Sequence, residues 1–177
     1  MLNFTELVLK RESCRNFSGQ VVTNEQIKKC IDTARLAPSA CNSQPWHFYA
    51  AVSEGKCAEI AEATQRLGSN KFAEKAGGFI VIVEEPAILS TKLYNISQQK
   101  YAQMDVGIVT AHLCYAATEQ GLSTCILGSF NEEKLAEVVG IKDEEKIRLV
   151  LAVGYAQNDI LREKKRRITD EILTFID

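Results

Sequence analysis

Residues 105–120 are apolar on almost every side. Val106, Ile108, Val109, Ala111, Leu113, Cys114, Ala116 and Ala117 leave no polar face wide enough for a surface helix. This helix must therefore be buried centrally or at a subunit interface, and Gly121 breaks it. Residues 78–83 form a continuous apolar run of the kind found in a central strand covered on both faces. Residues 147–155 make a second such strand, 46–52 a third by aromatic and β-branched content, and 123–127 a short one closing on Gly128.

Helix signals fall between these strands. Asn3 with Glu6 caps a helix over residues 4–10, and Thr23 with Gln26 forms a capping box for another. That second helix carries the stripe Ile27, Cys30, Ile31 and Ala34 and must stop before Pro38. Ser53 opens a helix to about residue 67, ended by Gly68-Ser69-Asn70, and residues 132–139 read as a surface helix. Strands and helices mix without strict alternation, which is the α+β class. With no repeats, low-complexity stretch or clear linker, residues 1–177 are expected to be one domain.

A net charge of -2 gives no electrostatic case for nucleic acid or an anionic membrane as the main partner. No apolar run approaches the ~18 residues of a spanning helix, and the N-terminus lacks a basic region followed by an apolar one. The six cysteines include no C-x-x-C pair, so reduced thiols in a cytoplasmic protein are expected.

Three stretches carry chemistry. If residues 11–17 are extended, Arg11, Ser13 and Arg15 share one face, and two guanidinium groups flanking a hydroxyl make an anion cradle. Residues 38–46 (PSACNSQPW) form a loop held at both ends by proline. Its Ser39, Asn42, Ser43 and Gln44 offer donors and acceptors suited to the polar edge of a flat heterocycle. Cys41 lies inside this loop, where a small buried side chain is the default expectation. The third stretch is the basic run Arg162, Lys164, Lys165, Arg166 and Arg167. With no G-x-G-x-x-G or G-x-x-x-x-G-K-[ST], any phosphate must be held by such side chains. His47 and His112 are the only histidines and neither has a second ligand at i+3 or i+4, so no metal site is expected. His112 reads as a hydrogen-bonded core histidine.

Together these motifs resemble, in order, the nitroreductase family of FMN-dependent oxidoreductases. The matching segments are Arg11-x-Ser13-x-Arg15-x-Phe17, the loop from Ala37 to Trp46, Asp105-x-Gly107, Gly121 to Gly128, and Arg166-Arg167 before the acidic-aliphatic tail. The resemblance spans essentially the whole chain. It implies a central, mostly antiparallel sheet flanked by helices, in an intertwined homodimer with FMN at the subunit interface. It further implies that Arg11, Ser13, Arg166 and Arg167 hold the phosphate and ribityl end, with Lys165 able to replace one of them. Arg15 would lie by the N1/O2 edge of the ring, with Pro38, Ser39, Asn42 and Gln44 bordering it and Leu127 and Gly128 on its far side. The implied activity is electron transfer from NADH or NADPH to a small electron-poor acceptor such as a nitroaromatic or quinone, by a ping-pong cycle. No side chain is required as a general acid, because the flavin carries the hydride. Residues 85–101 leave little room for a substrate-covering insertion, which keeps other flavin reactions open: substrate oxidation, reductive dehalogenation, flavin breakdown, or a non-catalytic sensor using Cys41.

Overall fold

The computed structural model describes residues 3–87, 100–158 and 160–176. Its helices are α1 (Phe4–Lys10), α2 (Asn24–Ala34), α3 (Glu54–Thr64), α4 (Lys100–Glu119) and α5 (Glu132–Val139). Its strands are β1 (Trp46–Ala51), β2 (Gly78–Glu84), β3 (Ser123–Leu127) and β4 (Lys146–Gly154). They form one sheet in the order β1-β2-β4-β3, antiparallel at every pairing. This is the α+β architecture expected, and both capping boxes form as anticipated.

Strand alternation explains why β2 is apolar throughout. Ile80 and Ile82, with Leu151 and Val153 of β4, enter a core shared with α2 and α4. Phe79, Val81 and Val83, with Val150 and Ala152, enter the opposite core with α3 and α5. Every residue of β2 is therefore buried. A sheet covered on both faces makes three layers and two hydrophobic clusters.

Two boundaries differ from expectation. Helix α3 stops at Thr64 because Gln65 leaves helical geometry (φ -87°, ψ 51°), and a single 3-10 turn over Arg66–Gly68 follows. Helix α4 starts at Lys100, inside the polar stretch that precedes the apolar run. Most of residues 85–101, the segment expected to leave little room for a substrate-covering insertion, lies outside the described residues. Nor is α4 enclosed on all sides. Val109, Leu113 and Ala117 are buried, whereas Tyr101, Met104 and Ile108 are 46%, 53% and 38% exposed, at the spacing of one helix stripe.

At one end of the sheet, the Arg148 Nε donates to the buried Glu84 carboxylate at 2.6 Å, beside the register shift at Ile82/Val83. Nearby, the Tyr49 hydroxyl donates to Glu145 Oε2 at 2.5 Å. That bond is the main reason the Tyr49 phenol is pushed up to about 12. Burial alone would raise the Glu145 carboxyl, but hydrogen bonds from Tyr49 and Lys142 and the charges of Lys142 and His47 hold it below its ordinary value.

Candidate functional site

After α1 the chain turns extended at Arg11 (φ -62°, ψ 123°) and runs beside β3. Ser13 bridges Thr124, and the Cys14 N–H donates to the Thr124 carbonyl at 2.9 Å. Cys14 and Phe17 turn inward and are buried. Arg11, Ser13 and Arg15 all line one cavity of about 250 Å³. The buried Cys14 turns away between Ser13 and Arg15, but Glu12 lines the cavity too, so the alternation read from the sequence holds only around Cys14.

The other wall comes from the C-terminal segment, in which Arg162, Lys164 and Arg166 line the cavity. Glu163, between the first two, lines it as well. Arg167 and Lys165 are exposed and do not line it. Of the expected pair, Arg166 lines the cavity and Arg167 does not, while Arg162 and Lys164, which the charge run could not single out, line it as well. The Lys164 ammonium donates to the Arg11 carbonyl at 2.6 Å, and Arg162 donates to the Glu12 carboxylate at 3.3 Å and to the Ser13 carbonyl. These bonds fasten the two ends of the chain together. Burial, followed by the adjacent Arg11 charge, holds the Lys164 ammonium below its ordinary value of 10.5. Five cationic groups share this cavity with only Glu12 and Glu163 as counter-charges. Such a cluster could hold an anion, because a bound anion would remove the mutual repulsion of the cations.

The 38–44 loop is held differently. Cys41, Asn42 and Gln44 have φ of 54°, 51° and 46°, three left-handed non-glycine residues within four positions. Each costs on the order of 1–3 kcal/mol, with asparagine the cheapest, and such strain clusters at functional sites. The loop persists through local bonds. The Ser39 hydroxyl accepts from the Gln44 N–H at 2.9 Å, and the Gln44 amide donates to Asn42 Oδ1 at 3.2 Å. Both carboxylate oxygens of Asp105 in α4 lie 3.2 Å from the Ala40 N–H. Burial raises the Asp105 carboxyl, opposed by that N–H. Asp105 was visible in sequence as a motif position; its role in anchoring this loop was not.

Cys41 is exposed, correcting the expectation of a small buried side chain; it sits in the left-handed part of the loop, which packs on no core cluster. All six cysteines are unpaired thiols. None of residues 38–44 lines the cationic cavity, so one chain does not bring loop and cradle to a single pocket. Leu127 is buried at the end of β3 and Gly128 follows it exposed, with open space where a side chain would be. His112 is hydrogen-bonded, its Nδ1 2.9 Å from the Ile108 carbonyl, but it sits half-exposed on α4 rather than in the core. Among the described residues no helix is long and apolar enough to cross a membrane.

The nitroreductase family model matches residues 8–155. An oxygen-insensitive NADPH nitroreductase of Helicobacter acinonychis is 24% identical, aligned over 97% of this chain and 95% of its own. A nitroreductase family protein from Streptococcus pneumoniae has the same fold (TM-score 0.84, 26% identical, 98% of this chain and 100% of that one). So does a protein from Exiguobacterium sibiricum solved in complex with FMN (TM-score 0.84, 20% identical, 99% and 98%).

Proposed function

Because the chain belongs to the nitroreductase family, we propose that it is an NAD(P)H-dependent FMN oxidoreductase acting on small electron-poor acceptors such as nitroaromatics or quinones. The observation that carries this reading is the cavity of crowded cations, which fits the phosphate end of FMN. When bound, FMN supplies the two-electron carrier that nicotinamide and acceptor address in turn, in a ping-pong cycle. The chain's own contribution is binding and electrostatics. Arg11, Ser13, Lys164 and Arg166 hold the phosphate by charge-assisted hydrogen bonds. Arg15 sets a fixed cation beside the ring edge that gains negative charge on reduction. Pro38, Ser39, Asn42 and Gln44 border the ring, and the open backbone at Gly128 admits it against Leu127. Six unpaired thiols suit a reducing cytoplasm.

The working form is a homodimer in this reading. The exposed stripe Tyr101, Met104 and Ile108 of α4 needs a cover, as do Ile168, Ile172, Phe175 and Ile176 of the C-terminal segment. A second copy also supplies the loop that one chain keeps apart from its cradle. Sedimentation at micromolar concentration should show a dimer; a monomer would overturn this assembly.

The function itself is tested by the absorption spectrum of the purified protein and anaerobic addition of NADH and NADPH. Flavin bands should bleach quickly and return on adding a nitroaromatic or quinone. Bands that persist would leave a flavin protein of another reaction, and a colourless protein that ignores added FMN would end the proposal.

A further inference from the structure

At the end of the sheet where β1 begins and β2 finishes, three residues distant in sequence converge. His47 of β1, Glu85 just past β2 and Glu145 just before β4 each offer a donor atom, all within 4.8 Å of one another. His47 Nδ1 is 4.0 Å from Glu85 Oε1. The Glu145 side chain is 2% exposed. Its Oε2 accepts from the Tyr49 hydroxyl at 2.5 Å and from the Lys142 N–H at 2.9 Å. Among the described residues its buried Oε1 accepts no hydrogen bond and has only a loose ion pair, at 3.6 Å, with the Lys142 ammonium, whose side chain is mostly in solvent. A buried carboxylate oxygen without a donor is rare and calls for a missing partner.

We propose that His47, Glu85 and Glu145 bind a divalent first-row cation of the zinc class. One imidazole nitrogen and two carboxylates are a donor set that zinc accepts, with the remaining position open to water. Donors around a tetrahedral ion at ~2.1 Å stand roughly 3.4 Å apart. Closure therefore needs a contraction of about an ångström, well within the reach of the partly exposed His47 and Glu85 side chains. The buried Glu145 stays in place, oriented by the Tyr49 hydroxyl, while the Tyr49 ring packs edge-on to the imidazole at 4.9 Å. Lys142 withdraws, since its side chain is 70% exposed. A bound cation would tie together three segments of the chain. His47 lies two residues past Pro45, so the cation would also hold the exit of the strained loop. This inference rests on no part of the flavin reading.

The test uses the full chain, stripped with chelator and titrated with cobalt(II) and then zinc. One equivalent of cobalt should give d–d bands with no thiolate-to-cobalt charge-transfer band, which separates this site from the six thiols. Zinc at a hundredfold excess over its Kd should raise Tm by about 5–10 °C. His47→Ala and Glu85→Gln, both at partly exposed positions, should each weaken binding roughly tenfold or more. A thiolate band, undiminished affinity in both variants, or no response at millimolar metal would each overturn the site.

Discussion

Replacing Arg11 and Arg166 together by alanine should weaken FMN binding by roughly 10²–10⁴-fold. In the proposed site each guanidinium would make charge-assisted hydrogen bonds to phosphate worth about 1.5–3 kcal/mol, and every 1.4 kcal/mol is about tenfold in Kd. The two side chains come from opposite ends of the chain and meet in the same cavity. Their losses should add at least in part, since each removes its own donors. Quenching of flavin fluorescence on titration measures the Kd directly. Arg167→Ala is the matched control: it deletes a cation one residue away that does not line the cavity, and should leave Kd within about twofold. If Arg167→Ala costs as much as Arg166→Ala, the register described here is wrong. If the double variant binds FMN normally, the cavity is not the phosphate site.

Arg15→Ala separates anchoring from tuning. It should leave most of the affinity but make bound flavin harder to reduce, because in the proposed arrangement the lost cation would favour the reduced, negatively charged ring edge. A loss of about 1–3 kcal/mol over two electrons is a fall in midpoint potential of roughly 20–65 mV.

The legibility of this chain in its sequence follows from the range of the forces involved. Helix caps such as Asn3/Glu6 are local, and both boxes formed. The fully apolar strand 78–83 could only be central, and its alternation fills two separate cores. The outward face of Arg11, Ser13 and Arg15 was readable because strand period is fixed at two. What failed to read is what depends on the partner surface. A run of five basic residues within six positions looks the same in any register; the bonds from Lys164 to the Arg11 carbonyl and from Arg162 to Glu12 tie particular members of it to the cavity. Cys41 sat in a polar loop whose left-handed backbone no propensity announces, so its exposure was missed. The His47, Glu85 and Glu145 cluster was invisible because its members are 38 and 60 residues apart and meet only through strand pairing.

Gly77→Ala should be the most damaging of the glycine-to-alanine changes. A Cβ at this position would overlap the Gln20 carbonyl oxygen and lie 3.0 Å from the Val22 Cγ2. The closest atom is backbone, so no rotamer change relieves the contact. Residues 19–22 lie against 75–77 through the Gly19 N–H to the Lys75 carbonyl and the Val22 N–H to the Gly77 carbonyl, both at 3.1 Å. Either those bonds break or the strap moves. A cost of about 3 kcal/mol or more is expected, which for a chain of this size lowers Tm by roughly 6–12 °C. Gly55→Ala in α3 meets nothing within 4 Å and should instead gain about 0.5–1 kcal/mol. The strap continues backward through the buried Phe17 to Arg15 and Ser13, so its displacement reaches the cradle. Gly77→Ala should therefore also weaken FMN binding at temperatures where it remains folded. An unchanged Tm would show that the strap does not pack on residue 77. A lowered Tm with full FMN affinity would show that the cradle is positioned by its bonds to β3 and the C-terminal segment alone.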